Sequence, residues 1–315
     1  MRVIITGGAG LIGRALATSL AADQHEVIVL TREPENTVRL PPGVRAQQWD
    51  ARTANGWGRL ADGADAIVNL AGENFAGTNL FEIFFKRWTS RRKQRILDSR
   101  VHAGQAVVAA IEAARRKPRV LIQAAAVGYY GTLRDEELTE DMPRGNDFLA
   151  RVVWDWANST LPVEMLGVRR VVTRSGVVLS GKGGILSVML LPFKFFVGGK
   201  LGRGRQWFSW IHIEDEIRAM RFLIDTPAAK GAFNLTAPQP IRNAELAKTI
   251  GRVVRRPSFF PTPGLLLRLM LGEKSVVVLE GQRPIPRRLL DLGFTFRFPE
   301  VESALRDLLK KRSHG

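Results

Sequence analysis

Short apolar runs alternate along the chain with longer stretches in which apolar residues recur at helical spacing. The runs predicted as strands are residues 3–6, 26–30, 66–70, 119–124 and 164–173. The stretches predicted as helices are residues 11–22, 90–116 and 148–159. Strands that alternate with helices build βαβ units, so the pattern predicts an α/β fold with a doubly wound parallel sheet. Ligands bind such sheets at the carboxyl ends of the strands.

A glycine-rich turn follows the first predicted strand in the segment V-I-I-T-G-G-A-G-L-I-G. Its spacing fits both the dinucleotide pattern G-x-G-x-x-G and the G-x-x-G-x-x-G of short-chain dehydrogenases/reductases. Glycine permits the tight turn and the close approach of a pyrophosphate, which the amides at the helix start can hold. The residues predicted to bind the cofactor here are Gly7, Gly10, Leu11, Ile12 and Gly13. A plain glycine-rich turn is the alternative.

Residues after the next strands indicate which dinucleotide binds. Thr31 and Arg32 stand where an NAD-specific enzyme usually ends the strand with an acid. An arginine can pair with a 2′-phosphate, so the sequence favours NADP over NAD; the alternative is a surface arginine, with Glu33 as the ribose acid. Asp50 either faces the adenine or forms a turn. Small residues predicted to let the backbone approach the cofactor follow at Leu70, Ala71 and Gly72.

Composition limits the chemistry. The 315 residues, 45% of them hydrophobic, suffice for one large domain or two interleaved ones. The absence of cysteine excludes disulfides, thiolate nucleophiles and cysteine-ligated metals. The four histidines, which are widely spaced, predict no transition-metal site: His25, His102, His212 and His314. No signal peptide and no apolar run of about 20 residues is visible, so we expect a cytoplasmic protein with no membrane span.

The formal net charge of +17 implies an attractive field for anionic ligands. Residues 86–95, K-R-W-T-S-R-R-K-Q-R, combine six basic residues with a tryptophan and could track the phosphates of a nucleic acid. A charged helix face beside a dinucleotide pocket accounts for the same residues. Nucleic-acid binding is therefore the lesser expectation.

Several motifs together resemble those of atypical short-chain dehydrogenases/reductases of the epimerase-like family, related to extended sugar-nucleotide epimerases and dehydratases. They are G-G-A-G-L-I-G at 7–13, N-L-A-G-E-N at 69–74, D-S-R at 98–100, V-G-Y-Y-G at 127–131, R-S-G-V-V-L at 174–179, W-I-H-I-E-D at 210–215 and G-Q-R-P-I-P-R-R-L at 281–289. The last resembles the family's small C-terminal domain.

The resemblance implies a Rossmann-type domain that binds NADP(H), with a smaller, interleaved α+β lobe on the substrate side. We expect the Rossmann domain to span residues 1–180 and to be completed by part of 206–240. The substrate-side lobe is expected at 181–315, with the family's C-terminal domain at about 250–300. Oligomeric state is left open.

The superfamily's usual catalytic residues are missing. Its members use a Tyr-x-x-x-Lys pair, in which the lysine and the cofactor lower the pKa of the tyrosine. The only tyrosines here are Tyr129 and Tyr130, neither followed at that spacing by lysine. By position, Phe148 and Val152 replace the pair. Ala125 matches the upstream serine that normally contacts the reacting oxygen, and we count Ala125 among the cofactor-binding positions.

Three residues are candidates for a replacement catalytic role: Tyr129, Arg100 and His212. Tyr129 is expected near the nicotinamide end of the cleft, as a hydrogen-bond donor. Arg100 stands where relatives have an active-site asparagine, and its alternative is an ion pair on the helix. His212 lies in an alternating segment that relatives use structurally. Glu73 and Arg95 are further cofactor-binding candidates, Glu73 being alternatively a helix-start residue.

The glycine-rich apolar segment 180–205 is either a substrate wall or core. Its basic residues could meet an anionic group on the substrate: Lys194, Lys200, Arg203 and Arg205. The sequence thus supports an NADP-dependent oxidoreductase or epimerase-like enzyme acting on a small molecule, for which an anionic compound with an apolar part is one candidate. The alternative is a catalytically inactive NADP(H)-binding sensor or interaction protein.

Overall fold

Seven parallel strands form the central sheet of the computed structural model, which describes residues 1–35, 40–73, 87–132 and 135–310. The strands of this sheet and of three smaller sheets are, in chain order, β1 (Arg2–Thr6), β2 (Glu26–Thr31), β3 (Val44–Gln48), β4 (Ala66–Asn69), β5 (Val120–Ala126), β6 (Glu137–Leu138), β7 (Arg169–Ser175), β8 (Val177–Leu179), β9 (Trp207–Phe208), β10 (Trp210–His212), β11 (Gly231–Leu235), β12 (Ile241–Arg242) and β13 (Arg283–Pro284). The order across the seven-stranded central sheet is β11-β7-β5-β4-β1-β2-β3. This arrangement confirms the predicted doubly wound α/β fold.

Helices cover both faces of the sheet. Those described are α1 (Leu11–Ala22), α2 (Ser90–Ala113), α3 (Phe148–Asn158), α4 (Ile185–Lys194), α5 (Ile213–Asp225), α6 (Asn243–Val254), α7 (Gly264–Leu271), α8 (Val276–Leu279), α9 (Arg287–Asp291) and α10 (Val301–Lys310). Successive side chains of a strand point to opposite faces. Val3 and Ile5 therefore pack in the core that includes α1 and α5, whereas Ile4 packs on the α2 side.

The predicted elements of the N-terminal half occur with small changes at their ends. Helix α1 has the predicted bounds, and α2 ends at Ala113, before Pro118. The strand predicted at 164–173 is wrong in its first half, because Leu161–Leu166 form a 3₁₀ helix that begins beside Pro162. Gly167 ends this turn with φ +78°, so the strand starts only at Arg169.

The remaining strands form three two-stranded sheets: β8 with β10, β9 with β12, and β6 with β13. Strand β13, close to the C-terminus, thus pairs in parallel with β6, which follows the loop after β5. Some predicted positions lie outside the described residues, namely Asn74, Lys86, Leu133, Arg134 and His314.

Candidate functional site

The glycine turn lies between β1 and α1, at the carboxyl edge of the sheet. Gly7 has φ +65°, and a Cβ there would lie 2.9 Å from the carbonyl carbon and oxygen of Leu70. A Cβ on Gly13 would lie 2.6 Å from the Gly7 carbonyl oxygen. The turn is therefore packed as tightly as a backbone allows, and side chains are excluded from both positions.

Helix α1 starts without a side-chain cap. Gly10 is the N-cap residue, and the first turn contains no acidic residue. Arg14 donates the first intrahelical bond, 2.9 Å to the Gly10 carbonyl, so the amides of Leu11, Ile12 and Gly13 precede the helical hydrogen-bond ladder. These amides and the helix dipole suit a phosphate group.

A buried polar ladder that sequence reasoning missed joins the ends of β1 and β4 to the middle of β5. The Thr6 hydroxyl donates to Asn69 Oδ1 at 2.6 Å, and Asn69 Nδ2 donates to Gln123 Oε1 at 2.8 Å. The same hydroxyl accepts hydrogen bonds from the amides of Leu70 and Ala71. The ladder therefore fixes the residues after β4 against the glycine turn. Its sequence signal was a single polar residue within each of three otherwise apolar runs.

The loop Ala71–Glu73 lies on α2 and brings four predicted site residues together. The Glu73 amide donates to Ser99 Oγ at 3.0 Å, and the Glu73 carboxylate lies 3.7 Å from Arg95. Arg100 is buried directly beneath Gly72, over the ring of Trp156. Burial lowers the pKa of Arg100 to about 10, and the nearby Glu73 charge opposes the shift. Arg100 is thus a buried residue of α2 on which the loop Ala71–Glu73 packs.

The side chains of Arg32 and Asp50 differ in their hydrogen bonding to the rest of the protein. Arg32 is exposed just after β2, and its guanidinium has no hydrogen bond or ion pair among the described residues. The Asp50 carboxylate accepts from the amides of Arg52 and Thr53 at 2.8 Å. Although partial burial opposes it, this hydrogen bonding lowers the pKa of Asp50. Asp50 thus forms a turn, and an adenine contact stays a prediction.

Tyr129 follows β5 in a short 3₁₀ helix, Val127–Tyr130. The Arg174 guanidinium lies 3.5 Å from the centroid of its ring and donates to the Tyr130 hydroxyl at 2.9 Å. The Tyr130 hydroxyl in turn donates to Asn234 at 2.7 Å. Within the described chain the Tyr129 hydroxyl forms no hydrogen bond. Tyr129 is itself only 9% exposed, and of the two tyrosines it is the one whose hydroxyl has no partner in the described chain.

The positions of the missing catalytic pair lie on α3. Phe148 is the first residue of this helix and packs against Trp88, and Val152 is fully buried. Ala125 pairs with Arg174 across β5 and β7 and is also buried. None of these three side chains can exchange a proton.

His212 lies at the end of β10 and caps α5. Its Nδ1 accepts from the Glu214 amide at 3.0 Å, and its ring stacks on Phe298. Nε2 lies 3.3 Å from the Asp307 carboxylate. Burial lowers the pKa of His212 despite its acidic neighbours. These contacts support a structural role, which was one of the two interpretations of this residue.

A second group missed by sequence reasoning is Glu216 on α5. Its side chain is fully buried and accepts a 2.6 Å hydrogen bond from Ser175, the last residue of β7. Burial raises the pKa of Glu216 to about 8, with the Ser175 hydrogen bond opposing the shift. A protonated carboxyl therefore persists at neutral pH beside the carboxyl edge of the sheet. No sequence motif marked it.

The basic segment 86–95 is described from Arg87 onward, and much of it contacts the protein itself. Arg87 donates to the Leu269 carbonyl, and Lys93 lies 2.6 Å from the Glu273 carboxylate. Arg92 is buried, and Arg95 faces Glu73. Few of its cations are therefore available to a nucleic-acid backbone.

A cavity of about 650 Å³ lies where the loop after β5 meets the C-terminal part of the chain. Its lining residues are Asp135, Gly202, Arg203, Arg205, Gln206, Trp207, Arg242, Gly264, Leu265, Arg268, Leu279, Glu280 and Gly281. Glu280 accepts a 2.6 Å hydrogen bond from Thr132, three residues beyond Tyr129. The side chains of Arg203, Arg205 and Arg268 have no acidic partner among the described residues.

Of the predicted substrate wall, Leu190 and Phe193 are core residues, whereas Phe195 and Phe196 are exposed. In the described part of the chain, no cluster of His, Cys, Asp or Glu is arranged to hold a metal ion. The described helices include none with the length and apolarity to cross a bilayer.

Two family models match the chain. One, described as the NAD dependent epimerase/dehydratase family, matches residues 3–151, and one described as a domain of unknown function, DUF1731, matches residues 262–308. The segment that the second model matches forms one wall of the cavity, with Leu265 and Arg268 among its lining residues. These matches confirm the resemblance that the motifs indicated.

Full-length relatives agree. An epimerase family protein of Bacillus subtilis, YfhF, is 37% identical and covers 99% of both chains. A chloroplastic SDR39U1 homolog of Arabidopsis thaliana is 38% identical over 98% of this chain and 87% of its own. The crystal structure of human epimerase family protein SDR39U1 with NADPH superposes with a TM-score of 0.86 and 35% identity, over 98% of this chain and 99% of that one.

Proposed function

The chain belongs to the NAD-dependent epimerase/dehydratase family, and we propose that it is an NADP(H)-binding atypical short-chain dehydrogenase/reductase. It would act as an oxidoreductase or epimerase-like enzyme on a small molecule. The glycine turn carries the proposal, since its closed backbone and uncapped helix start leave room for a pyrophosphate and not for side chains. NADPH in the human relative supports it.

The residues around the turn fit this cofactor. The amides of Leu11 to Gly13 would hold the pyrophosphate, and Arg32 would pair with the 2′-phosphate through its planar fork of donors. The loop Leu70–Glu73, fixed by the polar ladder and by α2, would cover the cofactor. Bound NADP(H) supplies or accepts a hydride at a carbonyl or carbinol carbon.

The chain itself would bind the substrate and manage its proton. Tyr129 follows β5 at the carboxyl edge of the sheet, and its hydroxyl would donate a hydrogen bond to a substrate oxygen. The proton would come from Tyr129, from water or from the substrate. Beyond Thr132, the cavity offers Arg203, Arg205 and Arg268 to an anionic group and Leu265 and Leu279 to an apolar part. We propose a cytoplasmic location, in keeping with a chain without cysteine.

A catalytically inactive NADP(H)-binding sensor is the second candidate. The side chains of Ala125, Phe148 and Val152 favour it, because they stand at the positions of the superfamily's upstream serine and its Tyr-x-x-x-Lys pair. Nucleic-acid binding is a lesser candidate, since Lys93 and Arg95 of the basic segment face carboxylates of this protein.

Deuteride transfer distinguishes the two main candidates. The protein and the variant Ala125→Ser/Phe148→Tyr/Val152→Lys are incubated with 4-deuterated NADPH and carbonyl compounds that carry a phosphate or carboxylate and an apolar chain. We expect deuterium in a product with the unaltered protein and a loss of about 10²-fold or less in Tyr129→Phe, the lower range for one proton-transfer group. Transfer by the restored variant alone would identify an inactive relative, and transfer by neither would contradict an oxidoreductase for these compounds.

A further inference from the structure

Most of the large apolar side chains that are exposed in the described chain belong to three neighbouring segments. They are Phe195, Phe196, Val197, Phe259, Phe260, Leu265, Leu266, Leu269 and Met270, which we call the apolar basic face. Phe259 is 72% exposed, Leu265 71% and Leu269 65%. An exposed apolar cluster of this kind marks an interaction surface.

Backbone contacts make the face continuous. The Phe260 amide donates to the Gly198 carbonyl at 3.1 Å, and the Thr262 amide donates to the Lys200 carbonyl at 2.9 Å. Helix α7 begins two residues later, at Gly264. The Arg256 guanidinium lies 4.4 Å from the centroid of the Phe196 ring. The ends of α4, the segment before α7 and α7 itself therefore lie side by side.

Helix α7 is apolar on both of its sides. Leu267 and Leu271 are buried against the protein, while Leu265, Leu266 and Leu269 face solvent. Arg268 is its single charged residue. A helix on the surface of a globular protein normally turns polar residues to water, so the outward side of α7 is suited to an apolar environment.

The charge around the face selects its partner. The sequence has no Asp or Glu between Glu164 and Glu214 or between Glu245 and Glu273. Exposed cations occur throughout these stretches: Lys194, Lys200, Arg255, Arg256 and Arg268. A second copy in an isologous contact would place these cations against one another without carboxylates. The fitting partner is therefore both apolar and anionic.

We propose that the apolar basic face docks on an anionic lipid bilayer. The Leu and Phe side chains would enter the boundary between headgroups and acyl chains, and the Lys and Arg side chains would meet lipid phosphates. Leu265 and Arg268 also line the cavity of about 650 Å³. Helix α7 thus belongs both to the docked surface and to the wall of the cavity. A substrate with an apolar part would therefore pass from the membrane into the cavity along this helix.

Vesicle sedimentation of the full chain tests this proposal. We expect binding to vesicles of phosphatidylcholine mixed with phosphatidylglycerol, at least about tenfold stronger than to phosphatidylcholine alone and weakened by salt. Leu265→Ser/Leu269→Ser should reduce binding about tenfold or more. Leu161→Ser/Met165→Ser, which removes exposed apolar residues from the turn before β7, should not. Arg255→Gln/Arg256→Gln should remove the lipid preference, with Arg115→Gln as its control.

NADPH binding by each variant shows that it is folded. Equal binding to both lipids, or binding that ignores the α7 substitutions, would overturn the proposal. So would a lipid-free dimer in analytical ultracentrifugation that Leu265→Ser/Leu269→Ser dissociates, because the face would then be covered by a second copy. None of these outcomes depends on whether the protein is an active reductase.

Discussion

Two buried ionisable residues lie at the carboxyl edge of the sheet, one beneath the loop after β4 and one at the end of β7. Arg100 lies beneath the loop at Gly72, and Glu216 accepts the Ser175 hydroxyl at the end of β7. Burial shifts both pKa values toward the neutral form, to about 10 for Arg100 and about 8 for Glu216. At neutral pH the arginine stays charged and donates to the Ile96 carbonyl at 3.0 Å, whereas the carboxyl stays protonated and accepts the Ser175 hydroxyl.

Glu216 makes folding stability depend on pH. Its pKa rises from the usual 4.5 to about 8 on folding. Between these values the unfolded chain loses a proton that the folded chain keeps, so this contribution falls as pH rises through the window. Glu216→Gln should therefore gain stability relative to the unaltered protein between pH 5 and pH 8, by about 1.4 kcal/mol or more, the equivalent of one pKa unit.

Thermal and denaturant unfolding at several pH values measure this difference. Glu112→Gln, which changes an exposed carboxylate on α2, serves as the control and should follow the unaltered protein. Parallel stability curves for Glu216→Gln and the unaltered protein would show that Glu216 ionises normally in the folded state.

Local motifs identified the residues of the glycine turn, because turn, spacing and helix start adjoin in sequence. Arg32 was identified in the same way, from its place after β2. Glu216 was missed because it meets Ser175 across 41 positions, through a contact that only the folded chain creates. Arg174 was missed for the same reason, since it meets Tyr129 only where β7 lies beside β5.

Among the elements, apolar period and turn residues predicted β1, α1, β2 and α3 almost to their ends. The error at residues 164–168 arose because V-E-M-L-G-V is apolar enough for a buried strand. The left-handed conformation of Gly167 overrides that pattern, since a strand cannot continue through it. The polar ladder escaped prediction because it joins three strands that are distant in sequence.

The ladder couples the strand ends to the cofactor loop. Thr6→Val removes the hydroxyl at nearly constant volume and leaves Asn69 Oδ1 and the Leu70 amide without this partner. We expect a loss of about 1–3 kcal/mol in the free energy of unfolding, together with weaker NADPH binding. Denaturant unfolding and calorimetry measure the two effects.

Thr18→Val is the matched control, because this α1 hydroxyl contacts only the Arg14 carbonyl and is exposed. Unchanged stability and unchanged NADPH affinity in Thr6→Val would mean that the loop is held without the ladder.

In the whole molecule, Asn234 of β11 joins regions that are far apart in the chain. Its side chain accepts from Tyr130 and donates to the carbonyls of Leu138 and Ile285. Its amide donates to the carboxylate of Glu140, whose pKa burial raises. The C-terminal region is thus attached to the central sheet by a buried network. The domain boundary at residue 180 stays a prediction.

Asn234→Ala should disrupt this attachment. Three buried partners lose their hydrogen bonds, and we expect a loss of about 2–4 kcal/mol in the free energy of unfolding, since each costs about 1–3 kcal/mol and they are not additive. Asn55→Ala, in an exposed turn, is the control. Equal unfolding midpoints for the two variants would show that the network contributes little.

The most direct test of the account is calorimetric titration with NADPH and NADH, for the unaltered protein, Arg32→Ala and the control Arg115→Ala. We predict that NADPH binds at least about tenfold more tightly, a difference of about 1.4 kcal/mol. Arg32→Ala should abolish that preference and leave NADH binding unchanged, while Arg115→Ala keeps it. If neither nucleotide binds the unaltered protein, the glycine turn is architecture alone and the proposed function is contradicted.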